Sequence, residues 1–311
     1  MAALSFRQVE AFRAVMIAGT TTGAADILCI SQPAVSRLLA DFEESVEVRL
    51  FERQKKRLIP TPEAMILFEE VEKSFVGIEK LARTAEELRG FHRGTLRVAC
   101  MPALAMDFMP QVLHTFMDTH DGVAVTLQVR GSQQVADWVT TQHFDIGITA
   151  VKVSDPAISV QTLADSQLVC ILPPGHALAD KPSIVPADLE GEMFVSLGPE
   201  QSVRYKVDDA FQRAGVHRRL LFDTQVSHTA CAYVLAGGGV SLVDPATAIN
   251  YAQRGLIVKS FEPAIEFSYH VIYPQTRSKS QLVREFSELL KTRLQEMADA
   301  SEGLFVCKTS R

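Results

Sequence analysis

The sequence predicts an α/β protein with an all-α, winged N-terminal domain, and three observations carry that prediction. Residues 6–43 hold short stretches of apolar residues at helical spacing, separated by capping residues. Residues 63–89 form one long helical stripe without an internal break. Beyond residue 94, strand-like and helix-like runs alternate, which is the pattern of an α/β architecture with largely parallel sheets.

Ser5 can cap a first helix with Phe6, Val9, Phe12, Val15 and Met16 on one face, ending near Gly19. Thr20 to Thr22 cap a second, whose small residues Ala24 and Ala25 face a neighbour together with Leu28. Ser31 stands where it can cap a third helix, and Pro33 in its first turn loses no hydrogen bond. This third helix should bury Val35, Leu38, Leu39 and Phe42 and turn Gln32, Ala34, Ser36 and Arg37 outward. A face with an amide, a hydroxyl, a guanidinium and no bulky obstacle fits a DNA major groove. The candidate contact set is therefore Gln32, Pro33, Ala34, Ser36 and Arg37, weighed against plain helix capping and solvent exposure.

Val48 to Arg53 and Leu58 to Pro62 flank a charged tip and predict a small β-hairpin, or wing. Four of the five positions from Arg53 to Arg57 are basic. Arg53, Lys55, Lys56 and Arg57 suit phosphate or minor-groove contact, which supplies affinity rather than sequence choice. The chain as a whole carries 31 Lys and Arg against 37 Asp and Glu, a net charge of −6, which argues against a nucleic-acid binder. Distribution matters more: through Pro62, eight basic residues meet seven acidic ones.

From Glu63 to Arg89 the apolar positions Phe68, Val71, Phe75, Ile78, Ala82 and Ala85 make a coiled-coil-like seam. An isolated helix would expose that stripe, so the expected cover is the same helix of a second subunit. The other course is packing on its own domain. Arg89 to Gly94 reads as a linker. Strands are expected at Leu96–Cys100, Val123–Arg130, Asp145–Thr149, Gln167–Leu172, Phe194–Ser196, Leu220–Val226, Val240–Val243, Leu256–Ser260 and Tyr269–Tyr273. Helices are expected at Ala105–Met117, Ser132–Thr141, Val203–Ala214, His228–Ala236, Pro245–Gln253 and Ser280–Ala300. Two α/β units of roughly 100 residues each can hold a cleft between the carboxyl ends of their strands.

The chain is 47% hydrophobic, ample for more than one core. Its five cysteines, Cys29, Cys100, Cys170, Cys231 and Cys307, match no zinc spacing and no disulfide framework. The first residues lack the apolar core of a signal peptide and no run approaches a bilayer span, so a cytoplasmic protein without a membrane partner is expected. No HExxH, P-loop or GxSxG motif occurs, and Gly237-Gly238-Gly239 follows a helix and precedes a strand, opposite to a dinucleotide loop. No metal site, cofactor or enzymatic centre is expected.

Ala24-Ala25, Leu28, Ser31-Gln32-Pro33-Ala34-Val35-Ser36, then Leu50-Phe51-Glu52-Arg53 and Pro60-Thr61-Pro62-Glu63 form a specific order. With these residues the chain resembles the LysR-type transcriptional regulators over nearly its whole length. Phe144 to Thr149, Val169 to His176 and Ala236 to Pro245 look most like the family's activator of the diaminopimelate decarboxylase gene, and Phe6 to Met16 like its opine-responsive members. Two positions depart from the family pattern. Glu47 stands where the family has Gly after the recognition helix, and Ala64 where it has Gly after the wing. A glutamate forced to φ > 0 costs about 1 kcal/mol.

The resemblance implies a winged helix-turn-helix domain at 1–62, a dimerisation helix at 63–90, and a two-lobed periplasmic-binding-protein-like effector domain at 91–311. Lobe I would span about 93–164 and 269–300, and lobe II about 165–268. Cys100 to Ala103 replace the family's anion-binding Ser or Thr, so an amino-acid-like organic effector, of the diaminopimelate, lysine or opine class, fits better than an inorganic anion.

Candidate effector contacts lie at strand ends and helix starts, where free N–H groups welcome a carboxylate. They are Met101, Pro102 and Ala103; Ser132 and Gln133; and Gln201 and Ser202. The resemblance adds Thr149 and Val226, Ser227 and His228 at their flanks. Asp244 or Glu200 can accept an ammonium, although Asp244 also suits a helix cap, and Asp145 looks structural. The implied partners are double-stranded promoter DNA, the small effector, a second copy of the chain in a homodimer or homotetramer, and RNA polymerase. Two other classes stand beside this one: a constitutive DNA-binding repressor without an effector, and an α/β enzyme.

Overall fold

The computed structural model describes residues 4–54, 57–88, 94–198, 202–275, 279–301 and 305–307, with side chains described there except at 53, 54, 57, 73, 76–80, 82–88, 202 and 305–307. The chain divides into two compact units, Met1–Leu88 and Arg89–Arg311.

The first unit runs α1 (Phe6–Ala18), α2 (Thr21–Leu28), α3 (Gln32–Val46), β1 (Phe51–Gln54), β2 (Arg57–Pro60) and α4 (Pro62–Leu88). Ser5 and Gln8 close a reciprocal capping box on α1, and Thr20 Oγ1 accepts from Gly23 N at the start of α2. Ser31, expected to cap α3 with its hydroxyl, makes no such bond. Pro33 offers no N–H, and the amides of Ala34 and Val35 turn to the Ser31 carbonyl instead (2.9 and 3.2 Å). Phe12 lies at the centre of the core, with ring centroids 5.1, 5.9 and 6.4 Å from Phe42, Phe51 and Phe68. Val35, Leu39 and Phe42 are buried, whereas Leu38 is only half-buried.

The expected seam of α4 is partly covered by its own unit. Val71 and Phe75 are buried, the Phe6 ring lies tilted against Phe75 with centroids 5.2 Å apart, and Arg13 of α1 meets Glu72 at 2.5 Å while lying 4.7 Å over the Phe75 ring. Packing on the unit's own α1 therefore takes Phe68, Val71 and Phe75 from a subunit interface, leaving Met65, Ile66 and Leu81 exposed. The side chains of Ile78, Ala82 and Ala85 lie outside the described residues.

The second unit continues β3 (Thr95–Cys100), α5 (Pro102–Ala105), α6 (Phe108–Thr119), β4 (Ala124–Val129), α7 (Ser132–Thr140), β5 (Ile146–Thr149), β6 (Ile158–Gln167), β7 (Val169–Leu172), β8 (Ser183–Ile184), β9 (Met193–Leu197), α8 (Ser202–Ala214), β10 (Arg219–Thr224), α9 (Ser227–Leu235), β11 (Val240–Val243), α10 (Pro245–Ala252), β12 (Ile257–Phe261), β13 (Glu266–Pro274), α11 (Gln281–Asp299) and β14 (Phe305–Cys307). One sheet has the order β14-β6-β13-β5-β3-β4 and defines lobe I; the other, β10-β9-β11-β7-β12-β8, defines lobe II. The helix expected over Ala105–Met117 is α6, which starts later, at Phe108, because the separate short α5 ends at Ala105.

The sheets are mixed rather than largely parallel. Among the described residues β13 runs antiparallel to both β5 and β6, and β7 antiparallel to both β11 and β12, while β3 is parallel to β4 and β5. The reason is the double crossing between lobes: β6 and β13 lie antiparallel side by side and carry the chain out and back. The lobe limits expected at 164/165 and 268/269 fall inside these two strands. The crossings lie at Leu168 and residues 262–265, where Leu168 N donates to Ile265 O at 2.9 Å. α7 lies close on β5 because Gly147 has no side chain: a Cβ there would come within 2.7 to 2.9 Å of Val139, Ile272 and Val135.

Candidate functional site

Two groups of candidate residues emerge, one in each unit. In the first, α2, the turn through Cys29 and α3 present the outward face. Cys29 takes the left-handed conformation that reverses the chain between the helices (φ 52°, ψ 40°). Gln32, Pro33 and Arg37 are exposed and Ala34 and Ser36 half-exposed on the first turns of α3, opposite buried Val35 and Leu39. Gln32 Nε2 donates to Ser36 Oγ at 2.8 Å and to Thr21 Oγ1 at 3.0 Å, so the amide is oriented across the two helices. Thr21 is not a candidate on sequence grounds; as one of three consecutive threonines it reads only as a cap. Glu43 Oε1 accepts from Leu50 N (2.6 Å) and Phe51 N (3.1 Å), tying α3 to the hairpin that carries the basic residues. Arg53 and Arg57 lie on β1 and β2, paired with Leu58 and Gln54. Their side chains, and all of Lys55 and Lys56, lie outside the described residues.

In the second unit, lobe I brings Met101, Ser132 and Ala150 together at the carboxyl ends of β3, β4 and β5. Ser132 Oγ accepts from Ala150 N at 2.8 Å and sits 3.9 Å from Met101 Sδ. Met101 is buried, Pro102 and Ala103 half-buried, and Met101 N donates to Ile148 O. Thr149 is fully buried with Oγ1 on Val151 O at 2.9 Å, and Gln133 is exposed, donating to Asp137. Asp145 is structural as expected: its backbone and Oδ2 pair with Arg97.

Lobe II contributes the starts of α8, α9 and α10. Gln201 and the side chain of Ser202 lie outside the described residues, as does Glu200. Val226 precedes α9, Ser227 opens it, and His228 Nε2 lies 2.6 Å from Asp107 Oδ2 of lobe I. Asp244 is buried and caps α10: Oδ1 accepts from Thr247 N and Oδ2 from Thr247 Oγ1, each at 2.9 Å, and Tyr269 Oη of lobe I reaches Oδ1 at 3.4 Å. Burial first, and then the Asp244 carboxylate, hold the Tyr269 phenol well above its ordinary pKa, so it stays a neutral donor. Asp107, the partner of His228, escapes sequence reasoning because it stands inside a run that reads as continuous helix.

Burial also pushes the Cys100, Cys170 and Cys231 thiols up, which keeps them from acting as thiolate nucleophiles. Among the described residues no helix is long and apolar enough to cross a membrane.

Comparison with known proteins decides what these two groups belong to. Residues 6–65 match the bacterial regulatory helix-turn-helix protein family of LysR, and residues 89–295 match the LysR substrate binding domain. The chain belongs to the LysR family. It is a LysR-family transcriptional regulator with a helix-turn-helix domain and an effector-binding domain. Its relatives include the transcriptional activator protein LysR of Escherichia coli, 38% identical over 100% of both chains. The regulatory protein NocR of Agrobacterium fabrum is 40% identical over 91% of this chain and 95% of its own. The fold is shared with full-length CbnR solved with its target DNA, at 20% identity over 93% of this chain and 100% of that one, with a TM-score of 0.70. Within this LysR-family chain α2 and α3 fall in the matched helix-turn-helix region, and the strand-end candidates fall in the matched substrate binding domain.

Proposed function

We propose that this LysR-family regulator binds promoter DNA as a homo-oligomer and activates transcription in response to an amino-acid-like effector held between its lobes. Gln32, Pro33, Ala34, Ser36 and Arg37 enter the major groove: Gln32 offers its amide to adenine, and Ser36 and Arg37 reach a base edge or phosphate. Arg53, Lys55, Lys56 and Arg57 contact phosphates. Residues 1–62 serve as the DNA-binding domain, 63–90 as the dimerisation helix and 91–311 as the effector domain. The effector contacts we infer are Met101 to Ala103, Ser132, Gln133 and Thr149 from lobe I, and Gln201, Ser202, Val226 to His228 and Asp244 from lobe II. The site is a binding site rather than an enzymatic one, and the protein works in the cytoplasm with RNA polymerase.

The observation that carries the DNA reading is the exposed polar face of α3 set against the buried Val35, Leu39 and Phe42. The activator reading is supported by the transcriptional activator protein LysR of Escherichia coli, and the effector class by the octopine catabolism and uptake regulator OccR of Rhizobium meliloti, 32% identical over 91% of this chain. Effector binding shifts the population between lobe arrangements only if it favours one of them. The test is a binding titration on the fragment upstream of the regulator's own gene. Arg37→Ala should weaken binding at least tenfold while leaving the melting temperature intact; undiminished affinity would sink the assignment. Calorimetry with diaminopimelate, L-lysine and octopine tests the effector class, and heat from none of them would point to the constitutive reading.

A further inference from the structure

Two polypeptide crossings join the lobes at Leu168 and residues 262–265, and the Leu168 N to Ile265 O bond ties them to each other. A joint of that kind permits the lobes to rotate unless other groups bridge them. Three buried or near-buried bridges lie on α5, α10 and β13: Thr247 Oγ1 to Ala103 O at 3.5 Å, Tyr269 Oη to Asp244 Oδ1 at 3.4 Å, and Ala246 N to Tyr269 Oη at 3.3 Å. All three are long. Lys206 Nζ adds a bond to Glu266 O, next to the crossing itself. His228 Nε2 to Asp107 Oδ2 is different: at 2.6 Å it is a short side-chain bond between ionisable groups of opposite lobes.

Its two ends are built for the task. Asp107 stands at the cap position of α6 but makes no cap bond, which leaves its carboxylate to His228. The His228 ring stands edge-on to Tyr251 of α10 (centroids 5.6 Å apart, 78°), which sets its orientation. Its other nitrogen, Nδ1, is buried and has no hydrogen-bond partner among the described residues. A short bond to a carboxylate favours the joined lobes, while a buried unsatisfied ring nitrogen opposes them. The joined arrangement therefore leans on this one bond, which is lost when either side chain is removed.

We propose that His228 and Asp107 form an interlobe latch that holds the lobes in the arrangement seen here and is released when the lobes rotate. His228 then acts on the effector response through Asp107 and lobe position, not only as a contact in the cleft. This deepens the effector reading proposed above and rests on it for its biological role, but the latch itself is testable without any ligand.

The experiment uses the full-length chain in a Cys29→Ser, Cys307→Ser background with spin labels at Gln133→Cys in lobe I and Tyr205→Cys in lobe II, both exposed positions. Labelled protein is diluted with unlabelled chain so that only distances within one chain are read by pulsed electron resonance. Asp107→Ala and His228→Ala should each widen the distance distribution and move its mean by several ångströms. The double variant should match the singles, because either change opens the same latch. Distributions unaltered in folded alanine variants would overturn the proposal. If these variants do not fold, His228→Phe keeps the ring against Tyr251 and removes both nitrogens; a widened distribution supports the latch and an unaltered one overturns it. The effector reading fails separately, by silent calorimetry of the wild-type chain with diaminopimelate, L-lysine and octopine.

Discussion

Gln32 and Ser36 hold each other: the glutamine amide nitrogen donates to the serine hydroxyl at 2.8 Å, one turn along the same exposed helix face, and to Thr21 at 3.0 Å. A side chain with two anchors loses less rotamer freedom when it docks, so under the proposed DNA reading Gln32 presents Oε1 as an oriented acceptor, and donating to a base exchanges one of its two present bonds. Gln32→Ala should cost about 1–3 kcal/mol of discrimination against the wrong base. Ser36→Ala and Thr21→Val, which leave the amide in place but loosen it, should cost less. Fluorescence anisotropy on matched and mutated promoter fragments separates these cases, and equal losses on all fragments would argue for a phosphate contact instead.

The hairpin basic residues should behave in the opposite way. Lys55→Ala or Arg57→Ala should weaken binding about equally on every sequence and lower the slope of log K against log salt by about 1 for each phosphate that is no longer neutralised. A salt slope identical to that of the wild type would remove the residue from the interface.

Glu47 ends α3 in the left-handed conformation (φ 55°, ψ 28°), bonding Glu43 O and Glu44 O as a glycine normally does. A side chain there is strained against its own carbonyl. Glu47→Gly should therefore stabilise the first unit by about 1 kcal/mol or less, the relief being partly offset by the greater freedom of glycine when unfolded. Calorimetric melting of the full chain checks this, with a lower melting temperature as the refuting result.

His120 Nε2 bonds Glu285 Oε2 at 2.7 Å and so joins α6 to α11. The Glu285 hydrogen bond raises the His120 pKa, and the same bond lowers that of Glu285. A raised histidine stabilises the fold below its unfolded pKa of about 6.5 and loses that contribution as pH climbs through the folded value. A lowered carboxylate stabilises above its unfolded pKa of about 4.3 and loses it as pH falls through the folded value. The melting-temperature gap between wild type and His120→Gln should thus be widest at about pH 5–6 and close toward about pH 9. A gap that does not change with pH would show that the pair contributes by packing alone.

Much of the molecule is legible in local sequence. The capping residues Ser5 and Thr20, the apolar spacing of Val35, Leu39 and Phe42, and the outward Gln32 and Arg37 determine the short N-terminal helices and the exposed polar face of α3, because caps and periodicity act within a few residues. The alternation after residue 94 likewise determines an α/β architecture, and the family resemblance makes it an effector domain. Tertiary structure alone decided what covers each apolar stripe and which strands lie side by side. Phe75 faces α1 of its own unit, β13 runs antiparallel to β6 across more than a hundred residues of chain, and His228 meets Asp107 from the opposite lobe. The physical reason is that periodicity states which face of an element avoids water but not which surface it meets. That choice belongs to long-range closure, where many weak contacts must be satisfied together.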